Sequence, residues 1–343
     1  MNEILREDIN QFVSSFPFAD QLEKSSFLIT GATGLIGSTI VRCLMALDKT
    51  IVITCPVRSV AKARGIFKED SARINFIECD LIEYTSNLSF DDKFQYIIHC
   101  ACPTSGKYMV EHPVETIEFT LSTTQALLKY LTTNPLCAML YLSSVEYYGQ
   151  IDSEDLITES AQGYIDNTDP RSSYPLSKRL AEYLCNSYAN EYNINVKSAR
   201  LSQTFGAGVS REDNRVFAQF AKSILSGSDI VLHTDGTSSK PYCYSIDAVR
   251  AILYILLLGS KGESYNVANP ETYISIRSMA EFVRDSFNPS INVVVNINNE
   301  MGYAPKTKLN LSVEKLINLG WKPSYDLYSM FDRLIKSFYF DDV

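Results

Sequence analysis

Tyr174 and Lys178 are the residues of this sequence best suited to chemistry. They lie in SSYPLSKRLAEYL, a helical run, and their spacing of four residues places both side chains on one helix face. An ammonium group beside a phenol favours the tyrosinate and so lowers the phenol pKa toward neutrality. Such a phenol can exchange a proton with a substrate hydroxyl while a hydride leaves the same carbon. The pair therefore predicts redox chemistry at an alcohol or ketone.

A glycine-rich turn, GATGLIG, lies well upstream of this pair. It follows a short apolar run typical of a strand, SFLIT, and precedes a helical run. Glycines in such a turn allow a sharp bend, close approach of the backbone to a pyrophosphate, and tight packing of helix on strand. The helix N-terminus adds free N–H groups and a partial positive charge. The turn predicts a dinucleotide site, in which we place Gly31, Thr33, Gly34, Leu35, Ile36 and Gly37.

The second strand, TIVITCPV, is followed by Arg58 and carries no acid at its end. An acid at this point usually accepts hydrogen bonds from the adenosine ribose of NAD. A guanidinium instead suits the 2′-phosphate of NADP. The sequence therefore favours NADP over NAD, the alternative being that Arg58 simply faces solvent.

Apolar β-rich runs alternate with amphipathic helical runs through the first 205 residues, and this order predicts an α/β fold with a doubly wound parallel sheet of the Rossmann type. Later segments are shorter, and no linker separates them. We expect a smaller, interleaved C-terminal substrate-binding lobe. The predicted division is an N-terminal helical extension (1–25), a dinucleotide-binding domain (26–205 plus about 243–268) and the lobe (206–242 plus 269–343).

The chain has 343 residues and a net charge of −9. An acidic chain is poorly suited to bind nucleic acid or an anionic membrane, so neither is an expected partner. No run approaches the length of a membrane span and the N-terminus does not resemble a signal peptide, which predicts a cytoplasmic protein. The eight cysteines form no C-x-x-C pair and predict reduced, mostly buried thiols, and nothing supports a metal site.

The spacing G-x-x-G-x-x-G together with Y-x-x-x-K resembles the extended branch of the short-chain dehydrogenase/reductase superfamily, the NAD-dependent epimerase/dehydratase family that modifies nucleotide sugars. The resemblance runs from about residue 25 to residue 340. It includes three further segments: RLSQTFGAG, DGTSSKPYCYSIDAV and the C-terminal L-G-W-x-P.

This resemblance implies roles for further residues. Ser144 would complete the catalytic triad, with Ser143 as the alternative, and Lys178 would also hold the nicotinamide ribose. Asp80 would meet the adenine amine, unless it only caps the end of the third strand. Leu81 and Ala101 would lie against the cofactor, and the substrate would be bound by Thr104, Ser144, Gln203 and Lys240.

Glu146 bears on the type of reaction. The resemblance implies that a glutamate here removes the proton next to a transient C4 ketone. In the family's 4,6-dehydratases an acid or serine usually precedes that glutamate, whereas this chain has Val145, which puts ordinary 4,6-dehydration in doubt. The alternative for Glu146 is a structural acceptor or a binder of a substrate hydroxyl.

Three functions remain open. The leading hypothesis is a nucleotide-sugar epimerase or dehydratase that recycles its cofactor within each turnover, with Ser144, Glu146, Tyr174 and Lys178 as catalytic residues. The second is an NADPH-dependent reductase of a nucleotide-linked keto-sugar or keto-alditol precursor, which Arg58 favours. The third is a non-catalytic dinucleotide sensor. The resemblance also implies a homodimer, whereas the base, the sugar and the product are not encoded in any motif we identify.

Overall fold

The computed structural model describes residues 1–89, 91–297 and 306–340. Its larger sheet has seven strands, all parallel, which form from the apolar runs identified above. They are β1 (Ser26–Thr30), β2 (Val52–Val57), β3 (Ile74–Glu78), β4 (Tyr96–His99), β5 (Ala138–Ser144), β6 (Asn195–Leu201) and β10 (Ser264–Val267).

The strand order in this sheet is β10-β6-β5-β4-β1-β2-β3. The chain therefore builds outward from β1 in one direction, then returns to β4 on the other side of β1 and builds in the opposite direction. Ligands of doubly wound sheets bind at the carboxyl ends of the strands where this reversal occurs. In this chain that crevice lies between β1 and β4.

Helices cover both faces of the sheet, because side chains along each central strand alternate between two apolar cores. Phe27 and Ile29 belong to one core, whereas Leu28 between them belongs to the other. The helices of this part of the molecule are α3 (Leu35–Leu47), α4 (Val60–Phe67), α5 (Leu81–Ser86), α6 (Gly106–Glu111), α7 (Pro113–Thr133), α8 (Ser173–Tyr192) and α10 (Ser245–Leu258).

The smaller lobe contains a three-stranded sheet in the order β11-β9-β7 and a two-stranded sheet of β12 and β8. Helices pack against these strands. The elements are β7 (Gln203–Phe205), α9 (Val216–Ser226), β8 (Ile230–Leu232), β9 (Ser239–Tyr244), β11 (Asn269–Ser275), α11 (Ile276–Phe287), β12 (Val293–Val295), α12 (Glu314–Ile317) and α13 (Leu327–Phe340).

The N-terminal extension forms α1 (Glu3–Ser15) and α2 (Ala19–Leu22). Helix α1 packs against α3, α10 and α13 and so contacts both parts of the molecule. Its Asp8 is fully buried and accepts hydrogen bonds from the Tyr244 hydroxyl at 2.6 Å and from Arg333 Nε at 2.7 Å. The extension is therefore an integral part of the fold, because α1 joins α3, the helix after the glycine turn, to α13 at the C-terminal end.

One strand crosses the predicted division between the domains. The predicted first domain, 26–205, includes β7, yet β7 pairs with β9 in the smaller sheet. The strand that completes the larger sheet is β10, within the predicted range 243–268. Within the predicted lobe, positions 298–305 and 341–343 lie outside the described residues.

All eight cysteines are free and five of them are buried. In the described part of the chain no three His, Cys, Asp or Glu side chains are grouped so as to hold a metal ion. Nor does any helix there have the length and apolar character needed to cross a membrane.

Candidate active site

The glycine turn forms a cradle at the carboxyl end of β1. Gly31 has φ +69°, and a Cβ on it would lie 2.8 Å from the backbone nitrogen of Ala101. A Cβ on Gly37 would overlap the carbonyl oxygen of Gly31. Gly34 is the N-cap of α3, and no side chain caps that helix. No side chain thus competes for the first-turn amides of α3, which fits the diphosphate of a dinucleotide.

Tyr174 and Lys178 lie on one face of α8, as predicted, and both are buried. The Lys178 ammonium donates a hydrogen bond to the carbonyl oxygen of Leu142 on β5 at 2.7 Å. It lies 5.7 Å from the centre of the Tyr174 ring. The end of β5 therefore fixes the lysine beside the phenol.

Ser144, the last residue of β5, lies beside the Tyr174 phenol and lowers its pKa through hydrogen bonding. Its hydroxyl also accepts the backbone N–H of Glu146 at 3.2 Å, which holds the side chain at the start of a short 3-10 turn. Ser143, the alternative, is buried and its hydroxyl has no partner among the described residues. The geometry supports Ser144 as the hydroxyl of the catalytic group.

The pKa of Tyr174 is raised well above its ordinary value, mainly by burial, and then by Cys102 and Glu146. The Ser144 hydrogen bond and Arg171 act in the opposite direction but do not offset burial. The sequence prediction of a lowered phenol pKa is therefore wrong for this structure. Lys178 was the expected cause of that lowering, but its ammonium is directed to the backbone carbonyl of Leu142.

Glu146 belongs to a cluster of charges next to the phenol. Arg171 Nη2 donates to both carboxylate oxygens of Glu146, at 3.0 Å and 2.8 Å. Lys240 on β9 completes the cluster. Burial lowers the pKa of Lys240, the Glu146 carboxylate raises it, and Arg171 lowers it further. Two basic side chains and one carboxylate thus lie together next to the phenol.

Arg171 is a functional candidate that the sequence reasoning missed. It lies in the 3-10 turn Pro170–Ser172 that leads into α8, three residues before Tyr174. Its guanidinium carbon is 5.9 Å from the centre of the Tyr174 ring. The signal was available, because side chains three residues apart share one side of a helical turn.

The remaining predicted residues fall into two groups around the crevice. Ala101 lies beside Gly31, where its N–H donates to the Thr30 hydroxyl at 3.2 Å. Leu81 is buried as the first residue of α5, and Asp80 caps that helix by accepting the Glu83 N–H at 3.1 Å. The others are placed by their elements: Arg58 is exposed after β2, Thr104 is exposed in the loop after β4, and Gln203 lies on β7 beside the strand of Lys240.

Fold and site together define the class of protein: a Rossmann-type enzyme with the Ser-Tyr-Lys group of the short-chain dehydrogenase/reductases. A model of the NAD dependent epimerase/dehydratase family matches residues 27–268, and the chain belongs to this family. The fold class and the class of enzyme predicted from the sequence are therefore confirmed.

Known proteins of several activities are similar to the chain. UDP-glucuronic acid decarboxylase 3 of Arabidopsis thaliana is 28% identical over 303 residues, 88% of this chain and 85% of that protein. The structure of UDP-glucose 4-epimerase from Thermotoga maritima aligns with a TM-score of 0.78 at 19% identity, over 92% of this chain and 98% of that one. UDP-glucuronic acid 4-epimerase from Bacillus cereus, solved with UDP-glucuronic acid and NAD, gives 0.74 at 18%, over 92% and 100%.

Proposed function

We propose that this enzyme oxidises a hydroxyl of a nucleotide-linked sugar to a ketone, transforms the neighbouring carbon, and reduces the ketone again in the same turnover. The convergence of Ser144, Tyr174 and Lys178 on one crevice beside the glycine cradle carries this proposal. The activities of its relatives, UDP-glucuronic acid decarboxylase and nucleotide-sugar 4-epimerases, support the substrate class.

The side chains account for the proton steps. A substrate hydroxyl placed between Ser144 and Tyr174 has an orienting partner and, once the phenol is ionised, a proton acceptor, and the same phenol returns the proton when the ketone is reduced. Because burial raises the pKa of the phenol, its ionisation needs nearby positive charge. Lys178, held by Leu142, supplies positive charge beside the phenol. A dinucleotide held by the glycine cradle would supply the hydride acceptor for this carbon and the hydride donor for the return step.

The charge cluster supports decarboxylation as the step between oxidation and reduction. A carboxylate on the carbon next to the ketone would lie near Lys240, whose positive charge favours its binding, while Arg171 holds the Glu146 carboxylate. The bond from the carbon to the carboxylate breaks, its electron pair forms an enolate with the ketone, CO2 leaves, and the carbon then takes up a proton that comes from water. Glu146 exchanges that proton. Val145 offers no acid for loss of water.

A panel of substrates tests this proposal. The purified protein is incubated with UDP-glucuronic acid, UDP-glucose and dTDP-glucose, with catalytic amounts of NAD+ or NADP+, and products are followed by mass spectrometry. The proposal requires loss of one CO2 from UDP-glucuronic acid with no net consumption of dinucleotide. Epimerised product would keep the class and reject decarboxylation. Tight dinucleotide binding without any turnover would support a sensor instead.

A second candidate function is the net reduction of a nucleotide-linked keto compound by NADPH. Arg58 favours it, because this exposed guanidinium directly follows β2, where a 2′-phosphate would lie. This reaction needs only Ser144, Tyr174 and Lys178, and would leave Glu146 as a substrate binder. Stoichiometric loss of NADPH in the same panel would establish it.

A homodimer is part of the proposal. Helices α7 and α8, which pack against each other, expose apolar side chains that a second copy would cover: Val114, Ile117, Leu180 and Tyr183. Light scattering after size-exclusion chromatography should give twice the mass of one chain, and Tyr183→Glu should shift the protein to monomer. The cytoplasmic location stays a prediction.

A further inference from the structure

Glu78 places a carboxylate near the end of β2, a strand that carries no acid of its own at that end. It is the last residue of β3, and its Cα is in register with that of Val57, the last residue of β2. Its Oε2 accepts the backbone N–H of Val60, the first residue of α4, at 2.7 Å. The third strand thus supplies an anionic side chain to the carboxyl end of the second.

This position is the one that distinguishes NAD from NADP. In a doubly wound sheet the adenosine ribose lies at the carboxyl end of the second strand. There an acid accepts hydrogen bonds from the ribose hydroxyls of NAD, or a cation binds the 2′-phosphate of NADP. The N–H of Val60 at the start of α4 would be a natural partner for that phosphate. In this chain the Glu78 carboxylate takes that N–H, and the positive end of the helix stabilises its charge.

The other polar and charged side chains at these strand ends do not replace Glu78 in this role. Asp80 is engaged at the start of α5 with the Glu83 N–H. Ser59 uses its hydroxyl to accept the Lys62 N–H at 3.3 Å. Arg58 provides one positive charge, which a 2′-phosphate of about −2 would have to share with the Glu78 carboxylate. Like charges brought together at a binding site are strongly unfavourable.

We propose that Glu78 is the specificity-determining residue of the cofactor site and makes the enzyme select NAD over NADP. Its carboxylate accepts hydrogen bonds from the adenosine ribose hydroxyls and repels a 2′-phosphate. This inference rests on the proposed function, since it concerns the dinucleotide of that reaction. It departs from the expectation that Arg58 raised, because the decisive acid lies on β3 and not on β2.

The test measures dissociation constants of NAD+ and NADP+ by calorimetry, without sugar substrate. Glu78→Gln is the informative variant, because the amide oxygen can still accept the Val60 N–H while the charge is removed. Glu83→Gln, an exposed acid on the neighbouring helix, is the control of equal charge change. We expect wild type to bind NAD+ at least about tenfold more tightly than NADP+, Glu78→Gln to reduce that ratio at least about tenfold, and Glu83→Gln to leave it unchanged.

The contrary outcomes are separable. Preference of the wild type for NADP+, abolished by Arg58→Gln, would overturn this inference and leave the proposed reaction standing. A ratio unchanged by Glu78→Gln, with an unaltered melting temperature, would also overturn it. Failure of both dinucleotides to bind would reject the proposed function and this inference with it.

Discussion

The ion pair between Arg171 and Glu146 allows a quantitative test of what Glu146 does. If Arg171 acts only by holding the Glu146 carboxylate, removing both side chains should cost no more than removing Glu146 alone. The perturbations are Arg171→Gln, Glu146→Gln and the double variant, compared by kcat/KM on the substrate found active.

The magnitude follows from the burial of the pair. The arginine side chain is 19% exposed and the glutamate 33%, with the atoms 2.8 Å apart. Exposed pairs contribute about 0–1 kcal/mol, and breaking a buried pair costs about 3–5 kcal/mol. This intermediate case should cost about 1–2 kcal/mol, so Arg171→Gln should lower kcat/KM about 5- to 30-fold.

Glu146→Gln should cost more, because it removes the group that exchanges a proton with substrate. General acid–base catalysis contributes about 10²–10⁴-fold, and the loss should appear in kcat. The double variant should match Glu146→Gln, since Arg171 then has nothing left to hold. Arg277→Gln, which breaks the exposed pair with Glu281 on α11, is the control and should leave kcat/KM unchanged.

Additive losses in the double variant would refute this reasoning, because they would show that Arg171 contacts the substrate independently of Glu146. Equal and small losses for both single variants would refute the catalytic role of Glu146 and leave it a structural acceptor, the alternative raised from the sequence.

Other expectations follow from the same structure. Tyr174→Phe should lower kcat about 10²–10⁴-fold with little change in the dissociation constant of the dinucleotide, and a loss of binding instead would contradict the catalytic role. Gly37→Ala should abolish dinucleotide binding or destabilise the fold, because its Cβ would overlap the Gly31 carbonyl oxygen; unchanged calorimetric affinity and melting temperature would contradict the cradle. Burial raises the pKa of Asp247 to about 6, so the stability it contributes is complete below its unfolded pKa and is lost as pH rises through about 6. In urea unfolding, the stability of wild type relative to Asp247→Asn should fall by about 2–3 kcal/mol between about pH 4 and pH 7, and parallel pH curves would exclude this linkage.

The fold was predictable because its signals are local. Hydrophobic periodicity predicts strand runs such as SFLIT and the helix that carries Tyr174 and Lys178. The glycines of the turn are recognised by their spacing, because only glycine fits such close backbone packing. The boundary at β7 was not, because a three-residue strand has no periodicity and its sheet is decided by pairing with β9.

The site was predictable where one element carries the chemistry. Arg171 and Glu146 meet only because two short 3-10 turns come together in space, and the sequence separates them by 25 residues. Glu78 likewise acts across a strand pair, on the N–H of a residue 18 positions earlier. The pKa of Tyr174 depends on burial by elements from distant parts of the chain, which spacing alone does not report.

The most direct test of the central claim follows the bound nicotinamide during one turnover. Enzyme loaded with NAD+ is mixed rapidly with excess UDP-glucuronic acid, and the absorbance of the reduced ring is recorded. The account requires a transient rise that decays as CO2 is released, and no rise in Tyr174→Phe. A rise that persists with net accumulation of reduced dinucleotide, or an undiminished transient in Tyr174→Phe, would contradict it.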